Sequence, residues 1–295
     1  MSEKTEKKFR ARARGAKRLS RSKGGDAAIF AMLVIFGAFM VLPFVYAILQ
    51  SLKPMEEIFA FPPRFFVVRP TMDNYYQLGQ LTSNLWVPFG RYLMNSVFVT
   101  AIGTVSHIVL ASMAAFVLAK YRFPGSRVMS EAVTLALMFS AQVTAIPQYV
   151  LMAKMGMINT YWALILPSVA GTLGLFLMRN FMVSLPFSLI ESANIDGAGL
   201  FRIFWQIVMP NVKPAWLTLL IFTFQGLWNG AGSRFIYTES LKVLPTILGQ
   251  ISSAGIARAG VGSAVAVVMM IPPIITFLLV ESNVLETMAH SGIKD

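Results

Sequence analysis

The sequence contains no cysteine, which excludes disulfides, zinc–thiolate sites and cysteine nucleophiles. Its two histidines, His107 and His290, are too few for a His-rich metal site and too far apart to argue a catalytic triad. Charge is also scarce. Only 13% of the 295 residues are Asp, Glu, Lys or Arg, where a soluble domain carries about 25%. No G-x-x-x-x-G-K-[ST] stretch is present to cradle a phosphate, and no H-E-x-x-H to hold a zinc ion. No metal site, catalytic residue or resident cofactor is expected, and the chain is read as a non-enzyme.

What is present is apolar: 56% of the residues are hydrophobic, the composition of an integral membrane protein. The net charge of +12 is uneven, with ten of the 25 Lys and Arg in residues 1–26. That stretch has no apolar periodicity and reads as a disordered basic tail. It orients the chain with its N-terminus in the cytoplasm under the positive-inside rule, and it suits contact with anionic membrane lipid. The remaining basic residues are scattered over an apolar chain, which argues against nucleic acid.

Six apolar runs are long enough to be spans: 27–49, 93–119, 128–153, 160–178, 214–231 and 261–280. The first is too long for a signal-peptide core and reads as an uncleaved anchor. Pro147 should kink the third, and Pro272-Pro273 should bend the sixth. An all-α polytopic membrane domain of six transmembrane helices over 27–280 follows, with both termini inside and a short cytoplasmic tail at 281–295. No Asp, Glu, Lys or Arg falls in the interior of any of these runs. Intramembrane carboxylates serve as relays in proton- and cation-coupled carriers, so their absence argues against such a carrier, a voltage sensor or a charged-ion pore.

Uncharged polarity does occur inside the runs. Ser140, Thr144 and Gln148 share one helical face of the third. Thr218, Phe222, Gln225 and Asn229 share a face of the fifth, beside Trp228. These residues either hydrogen-bond between helices, at roughly 0.6 kcal/mol each, or line a path for a neutral, hydroxyl-rich solute. His107 reads as a satisfied buried imidazole.

The stretch 191–214, ESANIDGAGLFRIFWQIVMPNVKP, is more than a connector. Ser188 and Glu191 have capping-box spacing, which predicts a helix from Ser188. Asp196-Gly197 is a turn signal, with Gly197 suited to the left-handed conformation. A second helix carries an apolar stripe of Leu200, Ile203, Phe204, Ile207 and Val208. Pro210 should stop it, and Pro214 suits the first turn of the next helix. The stripe should pack back on the chain's own spans or on the bilayer surface, leaving the first helix to meet a partner.

This stretch resembles the EAA loop of binding-protein-dependent ABC transporter permeases. Glu191, Ala193, Asp196, Gly197, Ala198, Ile207, Pro210 and Pro214 stand at matching positions, and Ser192 replaces the family's first alanine. The segment IFTFQGLWNG is similar to the carbohydrate-importer branch, the maltose-type permeases, although Gly230 replaces the aspartate often found there. The C-terminal LETMAHSGIKD has diverged from that branch's usual ending.

The resemblance implies a type I ABC importer permease fold. It implies a heterodimer with a second, homologous permease subunit, a dimer of cytoplasmic ABC ATPases that binds ATP and magnesium, and an extracellular solute-binding protein. The implied coupling loop spans 186–214, with Glu191, Ser192, Ala193, Asn194, Asp196, Gly197 and Ala198 at the ATPase contact. Glu191 would meet polar or basic groups of the ATPase, and Asp196 would cap the following helix. The path candidates for a sugar or oligosaccharide are Ser140, Thr144, Gln148, Gln225, Trp228 and Asn229. Two other readings stand beside this one: an ABC permease for another solute, such as a glycerol phosphate or polyamine, and an ATP-independent carrier or channel.

Overall fold

The computed structural model describes residues 23–230, 232, 234–253, 255 and 258–291. Every regular element among them is helical. Most of the basic tail lies outside the described residues, as does 292–295. Helix α1 (Lys23–Ser51) begins inside the expected tail, with Asp26 in its first turn opposing the helix dipole. It packs along the last helix and otherwise leaves its apolar surface open. Two short helices follow, α2 (Met55–Ile58) and α3 (Asp73–Ser83).

Helix α4 (Phe89–Lys120) is the axis of the molecule. It begins directly after Pro88 and ends with a lysine in its last turn, favourable at the negative end of a helix dipole. Helices α7 (Trp162–Val169), α8 (Thr172–Ser184) and α12 (Lys213–Trp228) pack around it. Small residues permit this close approach. A Cβ on Gly103 would lie 2.6 Å from Leu227 Cδ1, and one on Gly174 would lie 2.8 Å from His107 Cε1. His107 is buried as expected, with Nδ1 3.0 Å from the Val169 carbonyl oxygen.

The third expected span is two helices, α5 (Ser126–Ala136) and α6 (Ala141–Lys154). The break falls at 137–140 and not at Pro147, which α6 accommodates. Ser140 is in extended conformation just before α6, a position serine favours over a helix interior. The fourth expected span is α7 and α8, separated at Ala170 and Gly171, and it runs on through Arg179 to Ser184. The expectation of charge-free spans fails at that arginine.

Between α8 and α12 the chain forms α9 (Ser188–Ile195), α10 (Leu200–Ile203), a π-helical turn (Phe204–Val208) and α11 (Met209–Asn211). Pro210 does not stop the second helix at once; Leu200–Asn211 continues past it and meets α12 at 81°. Pro214 stands in the first turn of α12, where its missing N–H costs nothing. After α12 come a 3₁₀ turn (Glu239–Leu241), α13 (Leu244–Ser252) and α14 (Ala259–Ser291), which continues beyond the expected end of the sixth span.

Among the described residues four helical stretches, with α7 and α8 (Trp162–Ser184) counted as one, are long and apolar enough to cross a membrane, and the bent pair Leu200–Asn211 with Lys213–Trp228 makes a fifth if it is one span. Six spans are expected from sequence; the broken α5–α6 pair is the one not counted. Of four apolar clusters among the described residues, the two larger hold the ends of the bundle together. One, at the end near 186–212, joins α4, α8, α9, the π turn and α12 around Phe116, Met178, Met182, Ile190 and Phe204. The other, at the opposite end, joins α3, α4, α12, α13 and α14 around Tyr92, Trp228, Ile247 and Val261.

Candidate functional site

Helix α9 is short, so its orientation depends on what it packs against. Ile190 and Ala193, three residues apart, turn into the core beneath the loop. The helix ends in a Schellman turn. The Gly197 N–H donates to the Asn194 carbonyl at 3.1 Å and the Ala198 N–H to the Ala193 carbonyl at 2.9 Å. Gly197 has φ +76°, the left-handed conformation expected of it. Ala198, half-buried, packs on the same core and pins the turn. The stripe that follows divides: Ile203, Phe204 and Val208 are buried against the chain's own helices, whereas Leu200 is exposed.

Two expected roles in this loop change. Helix α9 starts at Ser188, but no side chain caps it, so the capping box does not form. Asp196 is the C-cap of α9, and the next helix is preceded by Gly199 in extended conformation, again without a side-chain cap. Asp196 is too far upstream to serve as that cap. Ala193, expected at the ATPase contact, is only 6% exposed in the chain by itself. The outward face comprises Glu191, Ser192, Asn194, Ile195 and Asp196. Ile195 is absent from the sequence expectation and is 83% exposed. The signal for it was legible, since it falls off the Ile190–Ala193 stripe and nevertheless is large and apolar.

The path candidates are not brought together as a set. Gln148, half-buried, lines a cavity of ≈ 350 Å³ between α4, α6, α7 and α12, opposite Gly226 and Gly230. Ser140 and Thr144 do not line it. Gln225 and Asn229 are exposed on α12, and the Asn229 Nδ2 donates to the Gln225 carbonyl at 3.0 Å. Trp228 is only 3% exposed, stacked on Phe224 with ring centroids 6.0 Å apart. Its indole N–H donates to the Met269 carbonyl at 3.0 Å. In a regular helix that carbonyl would accept from residue 273, which is a proline and has no N–H. Trp228 therefore satisfies a backbone group freed by the proline pair in α14, and its ring is not open to a solute.

Three polar residues of the cavity lie outside the sequence expectation: Ser96, Thr100 and Arg234. Ser96 and Thr100 continue through Thr104 at helical i, i+4, i+8 spacing on α4, a stripe as regular as those of the other two runs. Ser96 Oγ accepts from the Leu244 N–H at 2.7 Å, while Thr100 Oγ1 is buried without a hydrogen-bond partner. Arg234 comes from the loop after α12 and lies over the Phe235 ring, 5.7 Å from its centroid. The cavity is thus not charge-free, as the spans alone suggested.

A helical membrane bundle around one long axial helix, with an anchored surface helix at one end and a polar cavity near the other, is the architecture of a transport permease. The chain belongs to the family described as binding-protein-dependent transport system inner membrane component, which matches over residues 107–286. This is a transport family and not an enzyme family, and the chain is a multi-pass membrane protein. It is 31% identical over 223 residues to the polygalacturonan/rhamnogalacturonan transport system permease protein YtcP of Bacillus subtilis, covering 75% of this chain and 74% of that protein. It is 28% identical to the sn-glycerol-3-phosphate transport system permease protein UgpE of Yersinia enterocolitica, covering 88% and 94%. In fold it is similar to a chain of a bacterial ABC transporter involved in import of the acidic polysaccharide alginate, with TM-score 0.73 and 23% identity over 90% of this chain and 99% of that one.

Proposed function

We propose that this chain is one of two non-identical permease subunits of an ATP-driven importer and forms half of the path for an oligosaccharide. The observation that carries the coupling part is the construction of α9: Ile190 and Ala193 anchor one face in the core, the Schellman turn locks its end, and Glu191, Asn194 and Ile195 remain outward. A helix so fixed moves with the bundle. An ATPase dimer that grips it, using its own ATP and magnesium, would transmit closure into α8 and the π turn as a rigid push. On this reading 186–214 and both termini face the cytoplasm, and the cavity with Gln148 faces the side of a solute-binding protein. The carbohydrate assignment draws on the named relatives and on the amide and hydroxyl lining of that cavity.

A second reading has its own support. Arg234 supplies a cation at the same cavity with no acidic partner among the described residues, and a glycerol-phosphate permease is among the relatives. Proteoliposomes containing this chain, its partner permease, the ATPase and the binding protein decide between them. ATP-dependent uptake of oligogalacturonides or neutral oligosaccharides, lost when this chain is omitted, is the expected result. Uptake of sn-glycerol 3-phosphate alone moves the assignment to the second reading. Uptake that persists without ATP overturns both.

A further inference from the structure

The end of α4, one side of α5 from Ser126 to Leu135 and the last turns of α8 line an open cavity of ≈ 1250 Å³ beside the root of α9. Nothing in the transport reading uses it. Its walls carry four cations, Lys120, Arg122, Arg127 and Arg179, and one carboxylate, Glu131. Two of the cations are accounted for. Arg127 Nε is 2.9 Å from Glu131 Oε1, and Lys120 Nζ donates to the Leu185 carbonyl at 2.5 Å. Arg122 is exposed and has no ion-pair or hydrogen-bond partner among the described residues. Arg179 Nε is buried and makes no hydrogen bond, although a guanidinium N–H withdrawn from water ordinarily finds an acceptor.

The positive potential has a further source. Helix α5, eleven residues long, begins at this cavity after Gly125, which has φ +91°, and no side chain caps it. Its first-turn N–H groups add partial positive charge where Ser126 and Arg127 line the wall. The other wall is apolar, with Leu135, Val183 and Phe187 half or more exposed. The cavity thus joins an under-compensated basic floor to a greasy flank at the end of two membrane helices.

We propose that this cavity binds a phosphate-bearing group, with the Arg122 and Arg179 guanidinium groups as its principal donors. A guanidinium fork matches the oxygens of a phosphate, and the volume far exceeds what a lone carboxylate would fill. The chemistry is shared by two sources, the headgroup of an anionic phospholipid and a soluble phosphate ester. The apolar flank fits the first, since acyl chains can lie along Leu135 and Val183 while the phosphate meets the arginines. The site is separate from the ≈ 350 Å³ cavity and does not depend on which solute is carried.

The full-length chain, purified in detergent, is titrated with phosphatidylglycerol, phosphatidylcholine and sn-glycerol 3-phosphate and read by native mass spectrometry. The basic N-terminal tail is present in every variant, so differences between variants report the cavity. Retention of phosphatidylglycerol over phosphatidylcholine, reduced about tenfold or more in Arg122→Gln/Arg179→Gln, supports a headgroup site. Retention of sn-glycerol 3-phosphate with the same loss, and no preference among lipids, supports a soluble source. Arg122→Gln alone changes an exposed side chain and keeps the test valid if the double variant fails to fold; Arg179→Lys should retain part of the binding. Equal retention in wild type and Arg122→Gln, with no preference for an anionic ligand, overturns the proposal.

Discussion

Replacement of Gly197 isolates the backbone contribution to the surface helix. Its φ of +76° holds the two hydrogen bonds that close the Schellman turn, and a Cβ built there meets nothing within 4 Å. Any penalty is therefore conformational, with no clash added. An L-residue in the left-handed region costs roughly 1–2 kcal/mol, which lowers the population of the closed turn about 5- to 30-fold. Valine should cost more than alanine, because a β-branched residue is an outlier at positive φ, and asparagine should cost least. Each variant would be expressed with a tagged chain, and the ATPase retained per permease measured after purification, alongside permease abundance and ATPase stimulation. Retention should fall in the order glycine, asparagine, alanine, valine. Abundance should stay near wild type, because Gly197 lies on the exposed rim and not in either core. Wild-type retention and stimulation in Gly197→Val would refute the turn as the device that positions α9. A loss in Gly197→Asn as large as in Gly197→Val would show that added bulk, not handedness, is what the site rejects.

Three further outcomes follow from the packing. Ile195→Asp should reduce ATPase retention about tenfold or more by placing a charge in an apolar contact, while leaving the thermal stability of the isolated chain within about 0.5 kcal/mol; unchanged retention would remove Ile195 from the interface. Gly174→Ala should destabilise the α4–α8 crossing by roughly 1–3 kcal/mol, seen as a lower melting temperature, because the added Cβ meets His107 and lies 3.0 Å from Leu219 Cδ1. Gly79→Ala, inside α3 with nothing within 4 Å of the added Cβ, is its control and should not destabilise, since alanine is favoured over glycine in a helix by about 0.5–1 kcal/mol. Trp228→Phe keeps a ring but removes the donor to Met269, so it should cost about 1–3 kcal/mol of stability without changing which solute is carried; an altered substrate preference at wild-type stability would return Trp228 to the path.

Much of this protein was legible from local chemistry. Apolar run length marked α1, α4 and α14 within a few residues, apart from the extension of α14 to Ser291. The Asp196-Gly197 pair marked the end of α9, and Pro214 marked the start of α12, because turn and first-turn preferences are properties of a residue and its immediate neighbours. The inward stripe at Ile203, Phe204 and Val208 was legible for the same reason, since helical spacing alone puts them on one side. The break before α6 was harder, because Pro147 offered a stronger local signal than Ser140, yet the helix runs on through the proline and breaks at 137–140.

What spacing could not supply was the neighbour on the other side. Trp228 is on a polar face by position, yet its role depends on a carbonyl 41 residues away that Pro273 leaves without a donor. Ala193 and Ile195 are two residues apart in an apparently uniform motif, and only the core beneath α9 makes one an anchor and leaves the other exposed. Arg179 and Arg234 belong to an apolar run's margin and a loop, so neither looks like part of a cavity until α4, α5, α7 and α8 close around them. The sequence by itself determined where the helices are and which side of each is apolar, because those depend on residues within a turn of one another. The tertiary structure alone decided which polar groups are satisfied, which cations are left over and which side chains remain outside, because each depends on the atoms that distant helices bring up against them.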